Sequence, residues 1–257
     1  MILLDYIVNL AIFSLLVSTP LVIGAFTKHK PFKHKAIWVG IYAGVVSSIL
    51  SLLSIQQQGY SYDIRYAPVM LVFAYLGPVA GLITGFLSLL TRLLTSGQWY
   101  PAIIGWGALM LGFSVIYFYV KSLTAIKKSI ILFVAYMVIY GITVLTFNIF
   151  IDRPVFHFQY LLFVMLGVFI GGLLIESYLN LYRVNNRLKE MYKMVEESES
   201  KYRLISENTS DLLLVIDSEQ QISYFSPSHE SVLGYKRCEL ESFELCRLIH
   251  PDDVNKF

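Results

Sequence analysis

Six stretches free of Asp, Glu, Lys and Arg take up most of the first 175 residues: 6–27, 36–62, 66–91, 93–120, 129–151 and 158–175. Each is near or above the roughly 18 to 20 apolar residues that cross a bilayer as a helix. With 56% hydrophobic and 15% charged residues, the composition lies outside that of soluble globular domains. The chain therefore reads as a multi-pass membrane protein whose partner is the lipid bilayer. Its first apolar stretch begins almost at Met1, lacks a basic flank and is too long for a signal-peptide core, so it reads as a retained helix.

Charge is split unevenly along the chain. Residues 1–178 hold ten Lys/Arg and four Asp/Glu, whereas residues 179–257 hold ten and fourteen. A membrane part thus gives way near residue 179 to a soluble, acidic part. Short loops rich in Lys/Arg stay cytoplasmic, and three places qualify: KHKPFKHK (28–35), KSLTAIKK (121–128) and the tail from Arg183. With six single crossings, the first two clusters would lie on opposite faces. The conflict disappears if residues 68–94 form a hairpin that folds back at Gly77-Pro78, where proline removes a backbone donor and clashes with the preceding turn. The N-terminus and the loop holding Asp63 and Arg65 are then extracytoplasmic, and all three basic clusters are cytoplasmic. Six straight helices with one basic loop outside is the competing arrangement.

Gly77, Gly81 and Gly85 recur every four residues, as do Gly167 and Gly171; such ladders line one helical face and let another backbone approach. Ionisable groups in or beside membrane segments face a cavity or a partner. In the hairpin arrangement Arg92 returns to the outer side, near Asp63, Arg65, Asp152, Arg153 and His157. Asp63, Arg65 and Arg92 are the candidate ligand-sensing residues, at the outer rim of a polar pocket above the bundle, with guanidinium groups suited to bidentate capture of a carboxylate or phosphate. Asp152, Arg153 and His157 read as solvated loop residues. Trp99 and Tyr100 fit an interfacial aromatic belt.

D-I-R, an apolar spacer, G-P-x-x-G-x-x-x-G and then Arg92 together resemble the LytS-YhcK type five-transmembrane receptor domain over roughly residues 30–178. That family has N-x-R ahead of its Gly-Pro, so Asp63 stands where Asn is typical, and Ser96-Gly97 stands where Gly-Gly follows the arginine. The resemblance implies a sensor of an extracytoplasmic or intramembrane ligand, of the kind found in bacterial histidine kinases linked to cell-wall regulation and in diguanylate cyclases.

Beyond the last apolar stretch, Leu181, Val184, Leu188, Met191, Val195, Ser198, Tyr202 and Ile205 follow 3-4 spacing, a heptad seam predicting a parallel coiled coil and a homodimer. An isolated amphipathic helix is the alternative. DLLLVID (211–217) then reads as a buried strand and QISYF as its hairpin partner. Ser226 caps a short helix that Pro227 presets and Gly234 ends. This order, with E-N-T-S-D, S-P-S-H-E, L-G-Y and I-H-P-D-D, resembles the PAS domain over about residues 200–257. The family completes its antiparallel sheet with three more strands, so the resemblance implies an incomplete sheet with an exposed apolar face and an unpaired edge. His229 reads as a surface residue, His250 as structural, and Cys238 and Cys246 as reduced residues of a cytosolic core.

The expected fold is thus a mainly α transmembrane bundle (1–178), a coiled-coil linker helix (179–205) and an incomplete α+β PAS domain (206–257). No phosphate-cradling loop, nucleophile elbow, metal-spaced His/Cys set, kinase motif or cyclase motif is present. The sequence points to no catalytic residue, metal, cofactor or nucleic-acid partner. It points instead to the input half of a sensor in a bacterial plasma membrane, its tail cytoplasmic and its effector a histidine kinase or, alternatively, a diguanylate cyclase. A solute-binding or transport subunit is the reading from another class, because Gly-Pro broken helices also build solute sites at membrane depth.

Overall fold

The structure, a computed structural model, describes residues 2–26, 34–57, 60–95, 99–149, 154–208, 211–216 and 222–234. Asp152, Arg153, Ser96, Gly97, Cys238, Cys246 and His250 lie outside the described residues. Packing divides the chain into two compact units, Met1–Tyr182 and Arg183–Phe257.

The first unit is a helical bundle. It comprises α1 (Ile2–Phe26), α2 (Lys35–Leu52), a small antiparallel hairpin of β1 (Ile55–Gln57) and β2 (Tyr60–Tyr62), α3 (Tyr66–Leu76), α4 (Pro78–Thr95), α5 (Trp99–Tyr119), α6 (Ala125–Thr146) and the start of α7 (Pro154–Asn208). Six of these helices are long and apolar enough to cross a membrane, and α3 is the short apolar exception. Their outer surfaces are covered by side chains such as Leu94, Leu111, Phe118 and Leu145. Such a surface suits lipid, not water, and the chain is a multi-pass membrane protein.

The helix breaks between α3 and α4 for a local reason. Gly77 has φ +91° and ψ −173°, a conformation that side chains disfavour, and Pro78 has no N–H to continue the ladder. The Gly77 amide closes α3 onto Val72 and Phe73 carbonyls, and its own carbonyl accepts from Gly81 at the start of α4.

Cross-helix contacts fix the direction of every element. Asn9 bonds the Leu53 carbonyl while Tyr42 bonds that of Leu16, so α1 and α2 are antiparallel. Thr84 bonds the Gly40 carbonyl and Thr91 donates to Ser48, so α2 and α4 run parallel. Between them α3 runs the other way, with Ser47 donating to the Arg65 carbonyl at one end and Val72 packing with Ala43 further along. Trp106 on Gly85 and Tyr117 beside Gly77 make α5 antiparallel to α4. Ile139 against Gly112 and Thr143 against Gly105 turn α6 back, and Tyr136–Tyr160 with Tyr140–His157 turn α7 again. The start of α2, the α5–α6 connection and the far end of α7's apolar part therefore share one end of the bundle. Lys35, Lys121, Lys127 and Lys128 gather there.

Eight consecutive residues of α3, Ala67 to Ala74, are buried, as expected of a helix that is apolar all round. The other helices surround it. On α4 the polarity is inverted: Ala80, Gly81, Thr84, Gly85, Ser88 and Arg92 face inward, whereas Val79, Leu82, Phe86, Leu90 and Leu94 face outward.

The glycines divide the work differently from the expectation. Gly77, Gly81 and Gly85 receive the side chains of Tyr117, Phe73 and Met110. Backbone-to-backbone approach belongs to Gly40, where an added Cβ would lie 2.9 Å from the Ala80 carbonyl oxygen. Four-residue spacing identifies a face of a helix but not what comes to meet it.

In the second unit α7 continues to Asn208 with its apolar seam exposed, from 47% at Leu188 to 71% at Tyr202. β3 (Leu214–Ile216) pairs antiparallel with β4 (Ile222–Phe225), Leu214 opposite Phe225, and α8 (Ser228–Leu233) ends at Gly234 in the left-handed region. Three expectations change here. The strand covers only part of 211–217, and Leu212, Leu213 and Val215 are exposed, not buried. The Ser226 hydroxyl accepts from the Leu213 amide and donates toward the Asp211 carbonyl, so it ties the strands together and does not cap α8. His229 is buried, its Nδ1 beside Ser226 and its ring edge-on to Phe225, because α8 folds back onto the hairpin.

Candidate functional site

The turn after β2 carries the D-I-R run inward. Asp63 is 1% and Arg65 4% exposed, and the two form a bidentate pair: Arg65 Nε donates to Asp63 Oδ1 at 2.7 Å, and Nη2 bonds Oδ2. The Arg65 amide adds a third bond to Oδ1 at 2.8 Å. Two residues of separation make this closure possible, since the carboxylate caps the start of α3 while the guanidinium reaches back along the same turn. Ser47 holds the Arg65 carbonyl at 2.7 Å, more than a turn below the end of α2. The pair therefore lies among the helices, not on an outer rim above them.

Arg92 is 8% exposed and lies on the inward face of α4. It does not snorkel to the interface. Its Nη1 is buried without a hydrogen-bond partner, and it lies within electrostatic range of both Arg65 and Asp63. Arg65 and Arg92 line the same cavity of about 110 Å³, which is room for a small ligand or several waters. Among the described residues, Asp63 neutralises Arg65 and leaves the site with one net positive charge.

The other walls are aromatic. Tyr66, Tyr136, Tyr140 and Tyr160 face the cavity with Trp106, whose Nε1 donates to the Gly85 carbonyl at 2.9 Å. Tyr136 and Tyr160 share a hydrogen bond of 2.5 Å. Tyr140 bonds His157 Nδ1 at 2.7 Å, and His157 Nε2 lies 3.1 Å from the Ile149 carbonyl. Because that carbonyl only accepts, Nε2 carries the proton and Nδ1 accepts from the Tyr140 hydroxyl. His157 is thus a half-buried support of the cavity wall and not a solvated loop residue. Trp99 and Tyr100, the expected interfacial pair, are exposed at the start of α5.

Gly77, Pro78, Gly81 and Gly85 set the hairpin that brings α3 and α4 together, so that Tyr66 and Arg92 share one cavity. The tyrosine wall was absent from the sequence reading. Its trace was present in Tyr136 and Tyr140, one turn apart within an apolar span, and in Tyr62 and Tyr66 flanking D-I-R. A tyrosine hydroxyl at membrane depth needs a partner.

Among the described residues no group of His, Cys, Asp and Glu could hold a metal ion. Compared with protein-family models, curated proteins and solved structures, the chain matches none.

Proposed function

We propose that the chain is the membrane-embedded input module of a bacterial signal-transduction sensor whose cavity binds a small anion. The observation that carries this reading is Arg92. It is a buried guanidinium with an unpaired nitrogen in a cavity wall, beside an arginine already neutralised by Asp63. Burying an uncompensated charge is costly, and a monoanion in the cavity removes that cost. Arg92 would supply the charge, Arg65 would hold the wall in place through Asp63, and the tyrosines would exclude bulk water around the anion.

Helix α7 gives the module its output. It contributes Tyr160 to the cavity and Gly167 and Gly171 to the contacts with Ala67 and Leu71 of α3, and its seam then runs exposed through residues 181–205. A parallel coiled coil between two copies would cover that seam. The β3–β4 hairpin and α8 with their exposed Leu212, Leu213 and Val215 are in keeping with the first part of a PAS relay. The basic end of the bundle faces the cytoplasm in this reading, the protein sits in a bacterial plasma membrane, and a two-component histidine kinase is the effector, with a diguanylate cyclase as the alternative.

The test is a fusion of the whole chain to a histidine-kinase core in proteoliposomes, with autophosphorylation measured across formate, acetate, larger carboxylates, phosphate and sulfate. At least one anion should change the rate, and Arg92→Ala should abolish that change with insertion intact. A rate indifferent to every anion, in both proteins, would refute the anion reading. The broken helix beside the cavity also favours a solute carrier; accumulation of a labelled anion by vesicles carrying the chain would establish transport.

A further inference from the structure

On the side of the Asp63–Arg65 pair that faces α1, several buried oxygens have no hydrogen-bond partner. They are Tyr6 Oη, Asn9 Oδ1, Ser51 Oγ and Ser54 Oγ. Tyr6 and Ser51 are fully buried and Asn9 is 1% exposed. These atoms belong to one region. Tyr6 and Asn9 are one turn apart on α1, and Asn9 Nδ2 bonds the Leu53 carbonyl at 3.0 Å, between the two serines in sequence. Ser47 and Ser51 are one turn apart on α2 and Ser54 follows just past its end, and Ser47 bonds the Arg65 carbonyl. Tyr6 lies within electrostatic range of Asp63 and Tyr62.

The groups have little freedom to turn away. The Tyr6 ring is stacked on Phe163 with centroids 4.9 Å apart and an interplanar angle of 11°, which fixes where its hydroxyl points. Asn9 spends both amide protons on the Asp5 and Leu53 carbonyls, and this directs Oδ1 elsewhere. Nearby, Asp63 Oδ1 accepts two bonds and Oδ2 one, so the carboxylate retains acceptor capacity.

Buried polar groups in native proteins are satisfied by protein or by ordered water. We propose that the region between α1, the end of α2 and the β2–α3 turn is a hydration site, holding ordered water that bridges Tyr6, Asn9 and Ser51 to the Asp63 carboxylate. Water fits the donor set better than a cation does. The three hydroxyl groups each need an acceptor for their proton and Asn9 Oδ1 needs a donor; water supplies both, whereas a cation could take the oxygen lone pairs but would leave the hydroxyl protons without an acceptor. The Asp63 charge is already taken up by Arg65, which leaves no net negative charge to hold a cation. The bridge couples α1 to the ion pair that borders the anion cavity, and it stands whether or not that cavity binds an anion.

Two deletions of a single hydroxyl give opposite signs for a wet and a dry site. In whole-chain protein in lipid nanodiscs, Tyr6→Phe and Ser51→Ala each remove a water partner if the site is hydrated, and the thermal midpoint falls. If the site is dry they remove an unsatisfied group, and the midpoint rises. We expect a fall in both; a rise or no change in either overturns the proposal. Radiolytic hydroxyl labelling of the unmodified protein is independent of any variant: Tyr6 should be oxidised well ahead of the equally buried Phe13, and equal rates overturn it. A sodium-dependent midpoint, relative to choline at the same ionic strength, that disappears in Ser51→Ala would assign the site to a cation and overturn it too.

Discussion

The two arginines of the cavity should respond to mutation with opposite signs. Replacing Arg65 by alanine deletes two of the three bonds that Asp63 accepts, from Nε and Nη2, and leaves a carboxylate at 1% exposure held by a backbone amide alone. Charged hydrogen bonds contribute about 1.5–3 kcal/mol each, and breaking a buried pair from one side costs about 3–5 kcal/mol. The Arg65→Ala bundle should be less stable by about that amount. Arg92→Leu removes a guanidinium whose Nη1 has no partner and leaves a shorter, apolar side chain in its place. In anion-free protein its stability should hold or rise by about 1–3 kcal/mol. The assay is equilibrium unfolding in mixed micelles followed by far-UV circular dichroism, completed by Asp63→Ala and the Asp63→Ala/Arg65→Ala double variant. The double variant should be more stable than Arg65→Ala alone, because it no longer buries an unpaired charge. Equal destabilisation by Arg65→Ala and Arg92→Leu, or none by Arg65→Ala, would refute the division of roles.

Glycine substitutions separate tight contacts from open ones. Gly81→Ala places a Cβ 2.2 Å from Phe73 Cδ2 and should destabilise by about 1–3 kcal/mol, while Gly107→Ala and Gly141→Ala, with nothing within 4 Å, should stay within about 0.5 kcal/mol, all by the same unfolding assay. Cysteines at Lys35 and Lys121 should react with an impermeant thiol reagent from one side of sealed vesicles and a cysteine at Trp99 from the other; Lys35 and Lys121 labelled from opposite sides would exclude the folded-back hairpin. Leu188→Asp with Val195→Asp should convert a dimer to a monomer in mass photometry, and an unchanged mass would remove the coiled coil. Tyr140→Phe and His157→Leu should each weaken anion response, with the double variant no worse than either single, since they act through one hydrogen bond.

What the sequence made legible is what local chemistry decides. Gly77 and Pro78 break a helix wherever they fall in one, and the number of apolar stretches follows from bilayer thickness. Asp63, Arg65 and Arg92 stand out as ionisable groups at apolar runs, but that Asp63 takes up Arg65 shows only in the fold. The rest depended on contacts between distant segments. The cavity wall draws Tyr66 from α3, Tyr136 and Tyr140 from α6 and Tyr160 from α7, and no spacing links residues nearly a hundred positions apart. His157 and His229 were misplaced for a common reason. Proximity to loops and short helices suggested water, yet His157 is held by the Tyr140 hydroxyl and the Ile149 carbonyl, and His229 is buried against Phe225 and Ser226 where α8 folds back on the hairpin. The burial of α3 was hidden in the same way, because apolar residues on every side mean lipid or protein, and only packing shows which.

Asp63 determines which anion the cavity can favour. Asparagine at this position would still accept a bond from Arg65 but would not neutralise it, and the cavity would then hold two uncompensated guanidinium groups. Asp63→Asn should therefore raise affinity for anions generally and for dianions most. At an effective dielectric constant of 20, one unit of charge at about 8 Å contributes about 2 kcal/mol to a monoanion and about twice that to a dianion. Titration of the fused sensor with acetate and with sulfate should show the sulfate-to-acetate preference rising by an order of magnitude or more in Asp63→Asn. An unchanged preference would mean that the Asp63 charge is not felt in the cavity, and the single net positive charge would no longer account for what binds there.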